Sequence, residues 1–295
     1  MTRRTATLIG FIAVLLWSLL AVLTVATAPM PPFQLTALTF AIGAVVGVIW
    51  GLATGTLGLL RQVSWRVYAA GTAGLFGYHA LYFSALRLAP PAEAGLIAYL
   101  WPLLIVLFSG LLPGEVLRRG HVVGALLGFA GAALIILGGR GESGTGAFAG
   151  YGLALLCALF WSGYSVLSRR SGTVPTVSVT VFCAATAVLS ALVHILTETT
   201  VWPSATGWVA VAALGLGPVG LAFFVWDIGC KRGDIQMLGT ASYAAPVLST
   251  LVLVGFGLSP ATWSLGAATV LIVGGAALAA RASAGKGGIS SPTGG

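Results

Sequence analysis

Charge is what this 295-residue sequence has least of. It carries 14 Lys or Arg and 6 Asp or Glu, together 7% of the chain, against about 25% in an ordinary soluble domain. Hydrophobic residues make up 58% and the mean hydropathy is +1.03. So little polar surface excludes a water-soluble fold, and so much hydrophobicity excludes a disordered chain. Nucleic-acid binding is excluded as well. The basic residues sit in short gaps between apolar runs and form no patch. Cysteine is scarce too. Cys157, Cys183 and Cys230 lie in or beside apolar runs with no CxxC spacing, so neither a metal site nor a redox pair is expected. No Walker A motif is present, which argues against ATP hydrolysis by this chain. A polytopic membrane protein is the class that remains.

What is present is a series of long apolar stretches. A spanning helix needs about 20 such residues. Ten are read, over 7–28, 33–54, 67–88, 92–112, 121–138, 147–168, 175–197, 206–229, 235–256 and 260–281. Pro29, Pro31 and Pro32 separate the first two, and Pro90 and Pro91 the third and fourth. Gly138, Gly139, Gly141, Gly144 and Gly146 mark a central connection, while Pro175, Pro203, Gly233 and Pro260 mark others. With the N-terminus in the cytoplasm, Arg3, Arg4, Arg61, Arg66, Arg118, Arg119, Arg169, Arg170, Lys231, Arg232, Arg281 and Lys286 all fall inside, and only Arg87 and Arg140 fall outside. That sorting satisfies the positive-inside rule and puts both termini in the cytoplasm. Trp50, Trp65, Trp202, Trp208 and Trp263 fall near helix ends, where interfacial anchors belong.

The chain also repeats itself at a constant offset of 144 residues. Leu15–Leu16–Trp17–Ser18 meets Leu159–Phe160–Trp161–Ser162, Pro31 meets Pro175, and Gly95 meets Gly239. Tyr99 and Pro102 meet Tyr243 and Pro246, and Gly131–Ala132–Ala133–Leu134 meets Gly275–Ala276–Ala277–Leu278. Five spans per half is an odd number, so the halves enter the membrane from opposite sides. The expected fold is all-α and integral to the membrane: ten transmembrane helices as two inverted five-helix repeats, 1–140 and 141–281, followed by a disordered tail over 282–295. Inverted repeats are typical of secondary transporters that bind substrate near the midplane. A duplicated scaffold without transport is the plainer alternative.

Ten spans, two halves, the LLWS-type first helix of each half and the turn LRLAPPAEAGLIAYLWP resemble the drug/metabolite transporter superfamily, in the group called EamA-like. The resemblance extends over residues 5–281. Within that group the aromatic content is similar to that of the bacterial aromatic amino-acid exporters. The resemblance implies a multi-pass protein of the bacterial inner membrane that exports rather than imports, working by alternating access.

Candidate substrate-binding residues are those at mid-depth. They are Trp17, Trp161 and Tyr164 in the first helices of the two halves, Tyr78, His79 and Tyr82 in the third helix, the repeat-related Tyr99 and Tyr243, and Phe224 in the eighth. Trp101 stands about 200° round the helix from Tyr99 and shares its cavity only if the helix is distorted there. A buried tyrosine hydroxyl needs a partner that lipid cannot supply. These residues therefore line a cavity or serve as hydrogen-bonded links between helices. Pro102 and Pro246, candidate hinges, would free the carbonyls of Ala98 and Ser242, to line a cavity or simply to kink a packed helix.

No acid and no Lys or Arg lies at mid-depth. A proton-coupled exporter of hydrophobic cations would need such a carboxylate, and a sugar-phosphate carrier such a cation. His79 is the one ionisable candidate there, as a ligand or proton acceptor or as a neutral hydrogen-bonded ring. Asp227 and Lys231 have i, i+4 spacing, which suits an ordinary pair but leaves a coupling role open. His79, His121 and His194 stand at different depths, so an intramembrane enzyme is not expected. The sequence thus points to a carrier, with no catalytic residue, no metal and no cofactor, for amino acids, aromatic ones included, or similar amphipathic metabolites. A carrier or flippase of hydrophobic drugs or lipid-linked metabolites is the alternative.

Overall fold

A computed structural model describes residues 1–89, 91–138, 148–255, 257 and 263–284. The expected punctuation at Pro90, at Gly139, Gly141, Gly144 and Gly146 and at Pro260 lies outside these residues, as do Arg140, Glu142, Lys286 and most of the tail. Every regular element among the described residues is helical. In chain order these are α1 (Arg3–Trp17), α2 (Leu20–Ala26), α3 (Pro32–Ala53), α4 (Trp65–Leu88), α5 (Pro91–Ala98), α6 (Trp101–Ser109) and α7 (Arg119–Gly138). The second half holds α8 (Phe148–Arg170), α9 (Val179–Thr197), α10 (Ala205–Leu216), α11 (Ala222–Arg232), α12 (Ile235–Ala241), α13 (Ala244–Gly255) and α14 (Trp263–Ala284). Each expected apolar stretch falls on one helix or on two consecutive helices with a short break between them. Among the described residues five helices, Arg3–Thr24, Pro32–Ala53, Phe148–Arg170, Thr176–Thr197 and Ala205–Arg232, are long and apolar enough to cross a membrane.

Local sequence explains where helices start. Thr2, Ser64, Ser204 and Asp234 each accept a hydrogen bond from a backbone N–H in the first turn of α1, α4, α10 and α12, satisfying donors that the helix leaves open. Pro32 opens α3, where the missing N–H costs nothing. Burial is reversed relative to a soluble protein. Leu196 is 82% and Val270 73% exposed, whereas Asp227 is 1% and Gln236 0% exposed. An apolar exterior around a partly polar interior is the arrangement a lipid solvent favours.

The helix pairs obey the 144-residue shift. α1 packs on α11 and α4 on α8, and the shift exchanges these two pairs. α3 packs on α9 and α7 on α14, and each of these pairings maps onto itself. Small residues allow the close approaches. A Cβ on Gly10 would lie 2.8 Å from the Gly229 Cα, so α1 and α11 touch backbone to backbone. The shifted positions are Ala154 and Ala85, both 0% exposed, which pack together with Ala89 and Ala94 between α4, α5 and α8.

The symmetry has two exceptions. The α1–α2 break after Trp17 has no equivalent in α8, which runs unbroken. A π-helical turn over Gly217–Leu221, containing Pro218, separates α10 from α11, while α4 stays regular. The breaks before Pro102 and Pro246 are shared, at Tyr99–Leu100 and at Ser242–Tyr243.

Charged groups gather at the two ends of the bundle. At one end Arg3 pairs with Glu115 (3.1 Å) and Asp234 (3.3 Å), Arg169 with Glu115 (2.6 Å), and Lys231 with Asp227 (2.7 Å). The expected i, i+4 pair is therefore present. At the other end Glu198 accepts from the backbone N–H groups of Phe33 and Gln34 at the start of α3, and its Oε2 lies 3.0 Å from His194 Nδ1.

Candidate functional site

The centre of the bundle is a cluster of aromatic rings contributed by α1, α3, α4, α6, α8 and α11. Trp17 ends α1, Trp101 opens α6, Trp161 sits inside α8 and Trp226 inside α11. All six pairings among these four indoles have centroid separations between 5.1 and 6.2 Å. Trp161 and Trp226 stack at 23°, whereas Trp17 and Trp101 each meet Trp161 edge-on. Such pairs contribute about 0.5–1.5 kcal/mol each beyond their burial. Two indoles are also anchored by hydrogen bonds. Trp226 Nε1 donates to Ser165 Oγ at 3.1 Å, and Trp17 Nε1 donates to the carbonyl of Pro218 at 3.0 Å. The second bond uses the π turn, which presents that carbonyl to the facing helix. Such single turns often accompany functional sites.

A second group of rings adjoins the tryptophans. Tyr78 lies 5.5 Å from Trp161 and stacks on Tyr82 at 6.0 Å. Tyr99 is 6.5 Å from Trp101. The helix break at Tyr99–Leu100 is the distortion that lets these two residues, 200° apart on a regular helix, meet. Tyr164 is 5.4 Å from Trp161 and leads away toward Phe182. His79 is seated among Phe40, Phe83, Tyr78 and Phe223. Its Nδ1 is 2.7 Å from the Leu75 carbonyl, which can only accept, so Nδ1 carries a proton and Nε2 is the position left for another partner. Trp101, Trp161 and Trp226 are buried, whereas Trp17, Tyr78, His79, Tyr82 and Tyr99 are half-buried.

Of the residues expected at mid-depth, Trp17, Tyr78, His79, Tyr82, Tyr99, Trp101, Trp161 and Tyr164 thus form one connected set. Phe224 lies to one side of it, 5.6 Å from Trp50 and against α3. Tyr243 is fully buried in a separate cluster with Phe129, Val106 and Ile272. Its hydroxyl accepts a hydrogen bond from Leu103 N at 3.1 Å. In an unbroken helix that N–H would donate to the Tyr99 carbonyl. Tyr243 therefore caps α6, which is the interhelical linking role. The expected release of the Ser242 carbonyl by Pro246 is corrected as well: the chain tightens by one residue, and Ala245 N donates to that carbonyl at 3.1 Å.

Two central residues were not anticipated. Trp226 and Phe223 are the positions reached by shifting Tyr82 and His79 by 144 residues, so the repeat itself carried the signal. Phe224 is adjacent to Phe223, about 100° round the helix. Glu115, whose side chain is 3% exposed and ties Arg3 to Arg169, was also missed.

The arrangement offers ring faces, indole edges and tyrosine hydroxyls, and no charged side chain takes part in its ring contacts. It suits a neutral or zwitterionic ligand with an apolar or aromatic body. Among the described residues no cluster of His, Cys, Asp or Glu could hold a metal ion.

Comparison with known proteins bears on this site. Residues 4–137 and 148–281 each match the EamA-like transporter family, two segments that are themselves offset by 144 residues. The chain is 60% identical over 285 residues to the aromatic amino acid exporter YddG of Ancylobacter novellus, covering 95% of this chain and 98% of that one. It is 26% identical over 294 residues to the aromatic amino acid exporter YddG of Salmonella typhimurium, covering 94% and 97%. A crystal structure of a protein 58% identical in sequence superposes with a TM-score of 0.91, covering 95% of this chain and 99% of that one.

Proposed function

The chain belongs to the EamA-like transporter family and is a multi-pass membrane protein, and from that premise we propose that it exports aromatic and other neutral amino acids by alternating access. The observation that carries this reading is the uncharged aromatic cluster where α1, α3, α4, α6, α8 and α11 meet. In it Trp17, Tyr78, His79, Tyr82, Tyr99, Trp101, Trp161 and Tyr164 contact the substrate, and Phe223 and Trp226 back them. Ring faces take the side chain. Indoles attract the ammonium group through cation–π interaction, and the half-buried tyrosine hydroxyls bond the polar end. The names of the two exporters, one of them 60% identical over nearly the whole length, support the substrate class.

Ten spans, cytoplasmic termini, residence in the bacterial inner membrane and two inverted repeats, 1–140 and 141–281, complete the proposal. The charge sorting and the exchange of helix pairs under the 144-residue shift support them. Pro102 and Pro246 act as hinges, because both shared breaks lie just before them. The α1–α11 and α4–α8 pairs rock against each other. Gly10 on Gly229 closes the cytoplasmic end of one pair, and Ala85 on Ala154 closes the outer end of the other.

Counterflow of labelled phenylalanine in proteoliposomes, with and without a pH gradient, tests the proposal. Flux without a gradient is expected, because no carboxylate belongs to the cluster. Trp17→Ala and Tyr99→Ala should each lower the flux at equal protein. Absence of flux for every amino acid, with flux of a lipophilic drug or lipid-linked compound instead, would overturn the reading.

A further inference from the structure

Outside the aromatic cluster, one cleft of about 180 Å³ is lined by charged and polar groups. It lies between α4 and α8, at the end of the bundle that carries Arg169 and Lys231. α4 and α8 pack through Ala85 and Ala154 toward their opposite ends, and Gly74 of α4 lies against the Tyr164 side chain beside the cleft. Arg66 stands on the α4 wall, Tyr164 and Ser168 on the α8 wall, and Asp227 and Lys231 on α11. A second cleft of about 350 Å³ shares Val67 and Val174 with the first and extends it toward Ser64 and Thr173.

Two polar atoms in the cleft lack a hydrogen-bond partner. Lys231 Nζ donates to Asp227 Oδ2 at 2.7 Å and to the Val174 carbonyl at 2.9 Å, but Asp227 Oδ1 is left without a donor although the Thr176 side chain stands nearby. The Tyr164 hydroxyl is likewise unbonded, with Ser168 beside it. Both residues are more than nine-tenths buried. A buried carboxylate oxygen without a donor is costly, and the residue that carries it lines the cleft.

We propose that this cleft is a cytoplasmic loading site that takes a zwitterionic α-amino acid before it reaches the aromatic cluster. The chemistry is complementary at both charged groups. The ammonium supplies the donor that Asp227 Oδ1 lacks. The carboxylate meets the Arg66 guanidinium at the mouth and the Tyr164 hydroxyl at the floor. A phosphate headgroup fits worse, because the free carboxylate oxygen would repel it. Tyr164 connects the cleft to the centre through its ring contact with Trp161 at 5.4 Å. The inference rests on the proposed transport function and adds to it a place where the substrate is selected for carrying both charges.

The test uses the full-length protein in inside-out vesicles, with Ser168→Cys as reporter and Ser171→Cys at the mouth as a second one. Modification by a membrane-impermeant thiol reagent is followed with and without ligand. Phenylalanine at about ten times its half-protecting concentration should slow it about tenfold, as exclusive binding at one site gives. Phenethylamine, which lacks the carboxylate, and hydrocinnamate, which lacks the ammonium, should protect less. Adding Arg66→Gln should remove the advantage of phenylalanine over phenethylamine, and Tyr164→Phe should reduce it. The proposal is overturned if phenylalanine gives no protection in a protein that still carries it in counterflow. It is also overturned if Arg66→Gln leaves protection intact, or if anionic lipid alone protects the cysteine. Loss of counterflow in the unmodified protein would instead overturn the transport reading.

Discussion

Changing Tyr243 to phenylalanine removes one oxygen atom, and the structure says what that atom does. It accepts the N–H of Leu103, two residues into α6, at 3.1 Å, inside a cluster where Tyr243 is 0% exposed. Neither water nor lipid can replace it there. The variant leaves a buried donor unsatisfied, at a cost of about 1–3 kcal/mol. Tyr99, its partner under the repeat, is half-buried beside Trp101, and among the described residues its hydroxyl makes no hydrogen bond with the protein. Tyr99→Phe should therefore cost little stability and weaken transport instead. Thermal unfolding in detergent, run beside counterflow at several phenylalanine concentrations, separates the two. Tyr243→Phe should melt several degrees lower with half-saturation near that of the parent. Tyr99→Phe should melt near the parent with half-saturation raised. If Tyr243→Phe melts normally and loses flux, its hydroxyl is a substrate contact and the capping argument is wrong.

Two further outcomes are expected. Trp226→Phe should raise half-saturation for phenylalanine about two- to tenfold, the worth of one aromatic contact, whereas Phe224→Leu should leave it nearly unchanged. The same counterflow series reads both, and the reverse order would show that the cluster is misassigned. Glu115→Gln should destabilise the protein by about 3 kcal/mol, since it leaves Arg169 without its ionic partner in a largely buried setting. Equilibrium unfolding followed at low and high salt measures this, and a loss that salt abolishes would mean the pair is screened rather than buried.

Much of the architecture is legible in the sequence because it follows from solvent. Apolar run lengths, prolines and sorted charges are each set by the bilayer, and all ten expected stretches fall on helices. The aromatic cluster was legible where depth alone decides it, as for Trp17, Trp161 and Tyr78. It was less legible where the angle round a helix decides. Phe224 and Phe223 have the same depth and composition, and only packing shows that Phe223 turns inward. Tyr99 and Tyr243 have matching sequence surroundings, but the two helix breaks differ by one residue in register, so one ring joins the cluster and the other caps a helix. Glu115 could not be read from its own surroundings, because its partners Arg3 and Arg169 lie 112 and 54 residues away.

The four indoles at the centre also make the protein its own optical instrument. Transition dipoles held 5.1 to 6.2 Å apart should couple to one another, so Trp17, Trp101, Trp161 and Trp226 are expected to give a split circular-dichroism band. Of the other five of the nine tryptophans, Trp202 and Trp208 form a separate pair at 6.2 Å, which Trp202→Phe removes, while Trp65 and Trp263 are 72% and 85% exposed. A ligand that wedges between the four central rings, or a rocking motion that parts α1 from α8, changes the coupling. Occupancy and opening can then be followed by light alone, in the unmodified chain and without a label.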